Sequence, residues 1–167
     1  MNTGAETATG GPDATAAHSA MHDDRKRWIS ILAKADPKKL KAAFEDLDQV
    51  PDVKWLRRPE TGMSMVRGRM GGTGRRFNMG EMTDTRSACT LASGEMGVAY
   101  IAGRDKRHAE IAAVLDALLQ TPQWHGVITA AVLEPLKNLR QLAVAEHATR
   151  TATSKVDFYT MVRGENA

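Results

Sequence analysis

The sequence predicts an α+β fold: an antiparallel sheet meander with an N-terminal helical hairpin and a C-terminal helical segment followed by a last strand. Three observations carry that expectation. Apolar residues recur with helical spacing near residues 28–47 and again over 111–143. Between them lie β-compatible runs separated by short Gly- and Pro-bearing turns. Those turns are too short for the crossovers that parallel strands need, so the strands must run antiparallel.

Taken in order, residues 1–22 consist of Ala, Thr, Gly and a few polar residues, without Val, Ile, Leu or an aromatic ring. Such a segment buries too little apolar surface to offset its ordering entropy, so a disordered tail is expected, with one α+β domain over 23–167. Asp23 or Asp24 is the expected N-cap of a first helix carrying Trp28, Ile31, Leu32 and Ala35. Asp36-Pro37 restarts the chain into a second helix with Leu40, Ala43, Phe44 and Leu47 on its apolar face. Val53–Arg57 is a first strand, Pro59-Glu60-Thr61-Gly62 a turn, and Met63–Arg69 a strand again. Gly71-Gly72-Thr73-Gly74 forms a loop before a long strand, Phe77–Leu91, with a break expected at Gly80. Ser93-Gly94 turns the chain into Met96–Ala102. Asp105 caps a helix with Ile111, Val114, Leu115, Leu118 and Leu119 as its stripe. Thr121-Pro122 opens the last helical segment, which Pro135 is expected to break or kink. Val156–Val162 has the composition of a closing strand.

Bulk properties narrow the function. The 167 residues suffice for one ordinary domain. Aromatic residues make up only 5%, so the core must be aliphatic, with nine methionines as adaptable filler or as contact surface. A single cysteine, Cys89, rules out an intrachain disulfide and favours a reducing compartment. No signal-peptide pattern and no membrane-spanning run are present, and a cytoplasmic location is expected. The net charge of +3 is unevenly placed. Residues 57–76 hold six arginines and one glutamate, while the segments on either side each carry −1. Arginine grips phosphates and carboxylates with two parallel bonds, so this window suits an anionic ligand or an acidic partner surface. It lacks the interleaved aromatics of a nucleic-acid binder.

Candidate chemistry centres on four places. Arg69-Met70-Gly71-Gly72-Thr73-Gly74-Arg75-Arg76 offers backbone amides and guanidinium groups to a phosphate. It is neither a Walker A loop nor a dinucleotide fingerprint, and on motif grounds alone a flexible hairpin loop with solvated arginines is the better account. Gly103-Arg104-Asp105-Lys106-Arg107-His108-Ala109-Glu110 places His108, Asp105 and Glu110 close enough for acid–base chemistry, yet a capped helix start accounts for the same residues. Glu60 could face the arginines, and Glu81 and Arg86 belong to opposite faces of a regular strand. The five histidines show no metal-ligand spacing, and Cys89 has no His near it in sequence. No complete catalytic set is present.

Together, Pro59-Glu60-Thr61-Gly62, the Arg69–Phe77 loop, Thr85-Arg86, Gly103–Glu110 and the ending Val156-Asp157-Phe158-Tyr159-Thr160-Met161-Val162-Arg163-Gly164 resemble the PhnG family over roughly residues 22–167. These are G subunits of the bacterial carbon–phosphorus lyase system. The resemblance implies assembly with PhnH, PhnI and PhnJ subunits and participation in replacing the adenine of ATP by an alkylphosphonate, giving a ribose 1-phosphonate 5-triphosphate. It implies a non-catalytic subunit that binds no cofactor of its own, with ATP as substrate of the complex. It also implies that a separate radical iron–sulfur subunit cleaves the carbon–phosphorus bond later. Arg69, Gly71, Gly72, Gly74, Arg75, Arg86, Arg104, Asp105 and His108 are then the expected anion-binding or subunit-interface residues. The rival reading is an autonomous anion- or nucleotide-binding domain cradling its ligand with Arg69, Arg75, Arg76 and the glycine backbone.

Overall fold

The structure, a computed structural model, describes residues 12–152, with side chains from residue 21 onward. Helix α1 spans Pro12–Ala33. It begins before the cap expected at Asp23 or Asp24, so residues 12–22, assigned from sequence to the tail, are helical. Their lack of large apolar groups hid this start. Proline at the first helical position and four alanines are nevertheless favourable to a helix. Helix α2 spans Pro37–Glu45 and is capped as expected: the Asp36 carboxylate accepts from the amides of Lys38 and Lys39, both at 3.0 Å. Both helices pack on the long central helix of the chain.

Three antiparallel strands follow, in spatial order β1-β2-β3: β1 Lys54–Arg69, β2 Arg76–Thr90 and β3 Met96–Ala102. Strand β1 runs straight through Pro59–Gly62, where a turn was expected. Proline cannot donate to a ladder, but β1 is an edge strand and its register slips between Trp55 and Arg57 and again between Arg57 and Glu60. The irregularities absorb Pro59, and the strand continues. The interruption expected at Gly80 is a bulge: Val66 pairs with Gly80 and Arg67 with Asn78, which leaves Met79 extra on β2. Between β1 and β2, residues 70–72 make a tight helical turn in which Gly71 and Gly72 hold φ of 58° and 79°.

Helix α3, Lys106–Leu119, covers one face of the sheet. Its residues from His108 to Leu119 are buried except Glu110. They meet Cys89, Ala99 and Ile101 from the strands and Trp28, Leu32 and Leu40 from the first two helices. Each fully buried leucine contributes about 1.5–3 kcal/mol. The helix comes so close at Gly97 that a Cβ there would lie 1.9 Å from the Ala113 carbonyl oxygen and 2.6 Å from the Ala117 nitrogen.

Asp116 is the polar centre of this packing. Wholly buried, its carboxylate accepts from Arg25 Nε (3.2 Å) and Nη2 (2.8 Å), Trp28 Nε1 (2.8 Å) and the Val98 amide (2.9 Å). One side chain thus joins α1, α3 and β3.

The chain then forms α4, Pro122–Ile128, a widened turn at Thr129–Leu133, and α5, Glu134–Ala152. Pro135 does not end the helix. The Glu134 amide reaches back five residues to the Thr129 carbonyl. The widened turn accommodates the missing proline donor and the bulk of its ring, and helix resumes beyond it. No helix among the described residues is long and apolar enough to cross a membrane. The expected closing strand, Val156–Val162, lies outside the described residues.

Candidate functional site

The residues singled out in the sequence fall into three places. Arg69, Gly71, Gly72, Gly74 and Arg75 form the tip of the β1–β2 hairpin. Arg69 donates from Nη1 to the Gly74 carbonyl (3.2 Å), and the Gly74 amide donates to the Met70 carbonyl (3.0 Å). The loop is therefore closed by its own groups, and its left-handed glycines give the tight reversal. A Cβ at Gly71 or Gly72 would meet nothing within 4 Å, so the tip stands in the open.

Arg86 lies on β2, on the sheet face opposite α3. Its Nε donates to Glu60 Oε1 at 2.9 Å, and Arg57 Nη1 reaches the same oxygen at 2.6 Å. Glu60 stands directly across the ladder from Arg86. The hydrogen bond from Arg86, followed by the positive charge of Arg57, holds the Glu60 carboxyl below its usual range; the same bond raises Arg86. All three side chains are about half exposed, so this is a surface network, ordered by strand pairing. Tyr100 is paired with Arg86 on the other side, on the same face, which no other described element covers. Glu81 lies across from Met65 in the outer hairpin, exposed and on the face opposite to Arg86.

Arg104, Asp105 and His108 occupy the β3–α3 junction. Asp105 is the N-cap, accepting from the His108 amide at 2.9 Å. His108 is buried, and its Nε2 lies 2.7 Å from the Leu32 carbonyl, tying α3 to α1. Glu110 pairs with Arg107 (2.8 Å), whose guanidinium sits 5.9 Å from the centre of the Phe44 ring. Asp105, His108 and Glu110 are thus engaged in capping, packing and pairing; Arg104 and Asp105 are exposed, and His108 is buried. Nine residues of strand separate Arg69 from Glu60, roughly 30 Å at strand rise. The hairpin tip and the Arg86 network are separate features on one strand pair.

The root of that strand pair is pinned. Thr61 and Thr85 hydroxyls meet at 3.2 Å, Thr85 Oγ1 donates to the Gly103 carbonyl (2.8 Å), and the Gly103 amide donates to the Thr83 carbonyl (2.9 Å). Ser87 Oγ donates to the Ala109 carbonyl (2.7 Å), fastening β2 to α3. Sequence reasoning missed these links and the role of Asp116. A lone acid inside the apolar run Ala112–Leu119 was the available signal for Asp116.

Cys89 is buried against α3; burial, with the nearby negative charge of Asp116, pushes its thiol up to about 11. It remains a neutral thiol at physiological pH, unsuited to act as a nucleophile. Among the described residues no three His, Cys, Asp or Glu side chains gather as a metal cage. An open cleft of about 440 Å³ lies between the β2–β3 turn and the start of α4, lined by Leu91, Ser93, Glu95, Leu118 and Trp124, none of them from the arginine window.

Comparison with known proteins gives these features a setting. Residues 23–164 match the family described as "Phosphonate metabolism protein PhnG". The chain is similar to a protein of Rhizobium meliloti (strain 1021) named "Alpha-D-ribose 1-methylphosphonate 5-triphosphate synthase subunit PhnG". The two are 39% identical over 142 residues, which cover 85% of this chain and 90% of the relative. The match takes in the hairpin tip, the Glu60–Arg86 network and the capped junction together, and the chain belongs to the PhnG family of phosphonate metabolism proteins.

Proposed function

We propose that this chain is a subunit of a ribose 1-methylphosphonate 5-triphosphate synthase, accessory to the displacement of adenine from ATP by an alkylphosphonate. In that exchange the bond from ribose C1′ to adenine breaks and a bond from C1′ to a phosphonate oxygen forms, leaving the triphosphate in place. The observation that carries the reading is the similarity to a named synthase subunit along nearly its whole length. The chemistry of the site supports an accessory role. The acid–base candidates Asp105 and His108 are committed to capping α3 and tying it to α1, Glu110 is paired on the surface with Arg107, and the arginine window ends in a convex tip rather than a pocket wall. PhnH, PhnI and PhnJ are the proposed partners, in the cytoplasm, with ATP and phosphonate bound by the assembly.

The test is reconstitution. The chain is co-expressed with PhnH, PhnI and PhnJ proteins, purified through a tag on one of them, and adenine release from ATP is followed with methylphosphonate present. Co-purification and phosphonate-dependent adenine release that drops at least about tenfold without this chain are expected. Equal release without it, or its absence from the purified assembly, removes the reading. The rival, an autonomous nucleotide binder, requires heat or a thermal shift when ATP is added to the isolated chain; neither is expected.

A further inference from the structure

The outer part of the β1–β2 hairpin, residues 63–83, is a two-stranded ribbon that no other described element covers. Residues directly opposite in an antiparallel pair share a face, so the pairing assigns its two sides. One side carries Val66, Phe77 and Met82. Met79 joins them, because its side chain lies over Gly68: a Cβ on Gly68 would sit 2.1 Å from the Met79 sulfur. These four are 37%, 45%, 46% and 64% exposed respectively. The other side carries Arg67, Arg69 and Arg76 beyond Met63, Met65 and Glu81. The whole ribbon holds four arginines and one glutamate. A lone two-stranded ribbon is marginal in water at best, and a contiguous apolar strip with adaptable methionines is a surface built to be covered.

We propose that this ribbon is inserted into a cleft on another protein subunit, with Val66, Phe77, Met79 and Met82 against an apolar wall and the arginines of the opposite side and tip against an acidic wall. The inference rests on the reading of the chain as an assembly subunit. Charge selects the occupant. A net charge of +3 concentrated on this ribbon, while the rest of the chain is neutral overall, favours a negatively charged partner over a second copy, which would bring the same arginines against themselves. Two chemically different sides argue for a cleft rather than a flat contact. No other described strand pairs with the ribbon's edges, so strand pairing with the partner is available as well.

Two variants and one exchange measurement test this in the full chain co-expressed with the other subunits. Phe77→Ser combined with Met79→Glu removes the apolar side; Arg67→Glu combined with Arg76→Glu inverts the charged side. Both leave α3 and its core untouched, and unchanged circular-dichroism melts of the isolated variants verify the fold. Each is expected to reduce co-purification at least about tenfold, while Lys38→Glu on α2 does not. In the wild-type assembly, amides of 63–83 are expected to exchange far more slowly than in the isolated chain. If wild type co-purifies and both folded ribbon variants do so equally well, the ribbon proposal is overturned while the subunit reading stands. If wild type itself fails to co-purify, both fall. Slowed ribbon exchange in the isolated chain on adding ATP, or on raising its own concentration, would instead assign the surface to a nucleotide or a second copy and overturn the proposal.

Discussion

The inner and outer halves of the same strand pair differ in what lies behind them. From Asp84 to Thr90, β2 alternates against α3 and is braced by Ser87 and the Thr61–Thr85 contact. From Arg76 to Met82 every residue of β2 is exposed. Side chains with strand propensity are present in both halves, so propensity alone does not set the boundary. It falls at the threonine and Gly103 links, where the body ends. The body is specified by close packing and buried hydrogen bonds, the ribbon by pairing alone. Substitutions should therefore register as stability changes in the first and as assembly changes in the second.

The largest effect is expected at Asp116. Asp116→Ala would strip the partner from buried Trp28 Nε1, the Val98 amide and Arg25 together, a loss of about 3–5 kcal/mol, read as a fall in the denaturant midpoint. A melt within about 2 °C of wild type would mean that water or rearrangement replaces the carboxylate. Next comes a pair of glycines that divides the two regions. At Gly97 a Cβ strikes backbone atoms of α3, so Gly97→Ala is expected to cost about 1–3 kcal/mol or more. At Gly68 it strikes only the flexible Met79 side chain, which can swing into solvent; Gly68→Ala should change stability by less than about 1 kcal/mol. Equal costs at the two glycines would erase the distinction drawn between them. Phe77→Ser, deep in the ribbon, should shift isolated-chain stability by no more than about 0.5 kcal/mol, as for an ordinary surface change.

The smallest effect is tied to pH. The Glu60 carboxyl is lowered in the folded chain, so its pairing with Arg86 favours folding above the ordinary carboxylate range. That contribution disappears as pH falls through the lowered value. Glu60→Gln and wild type should consequently differ slightly at neutral pH and converge once the pH has fallen below the lowered value. A difference that persists unchanged in acid would show that the charge on Glu60 is not its source.

Much of this architecture was legible in the sequence, because each correct element had a local cause. Asp36-Pro37, Asp105 and the Ile111–Leu119 stripe announce their helices through capping chemistry and period. The glycines of 71–74 and Gly94 announce their reversals. What was hidden depends on neighbours. Pro59 looks like a turn residue until β1 is known to be an edge strand with a slipped register. Pro135 looks like a terminator until the turn before it widens. His108 looks like an acid–base candidate until Leu32, distant in sequence, is found against its ring. The candidate residues fall at the arginine loop, on β2 and at the junction, and sequence could not tell that strand length holds them apart.

The widened turn at Thr129–Leu133 has a geometric result of its own. One additional residue in a single turn advances the phase of everything after it by about 100° relative to an unbroken helix. The nineteen residues of α5 inherit that offset. Leu139, Leu142 and Val144 stand exposed along it, and their compass bearing is set upstream, by the turn that accommodates Pro135, before any of them is reached. A chain with alanine at 135 and a relaxed turn would carry the same residues on a helix of the same length, rotated about its axis.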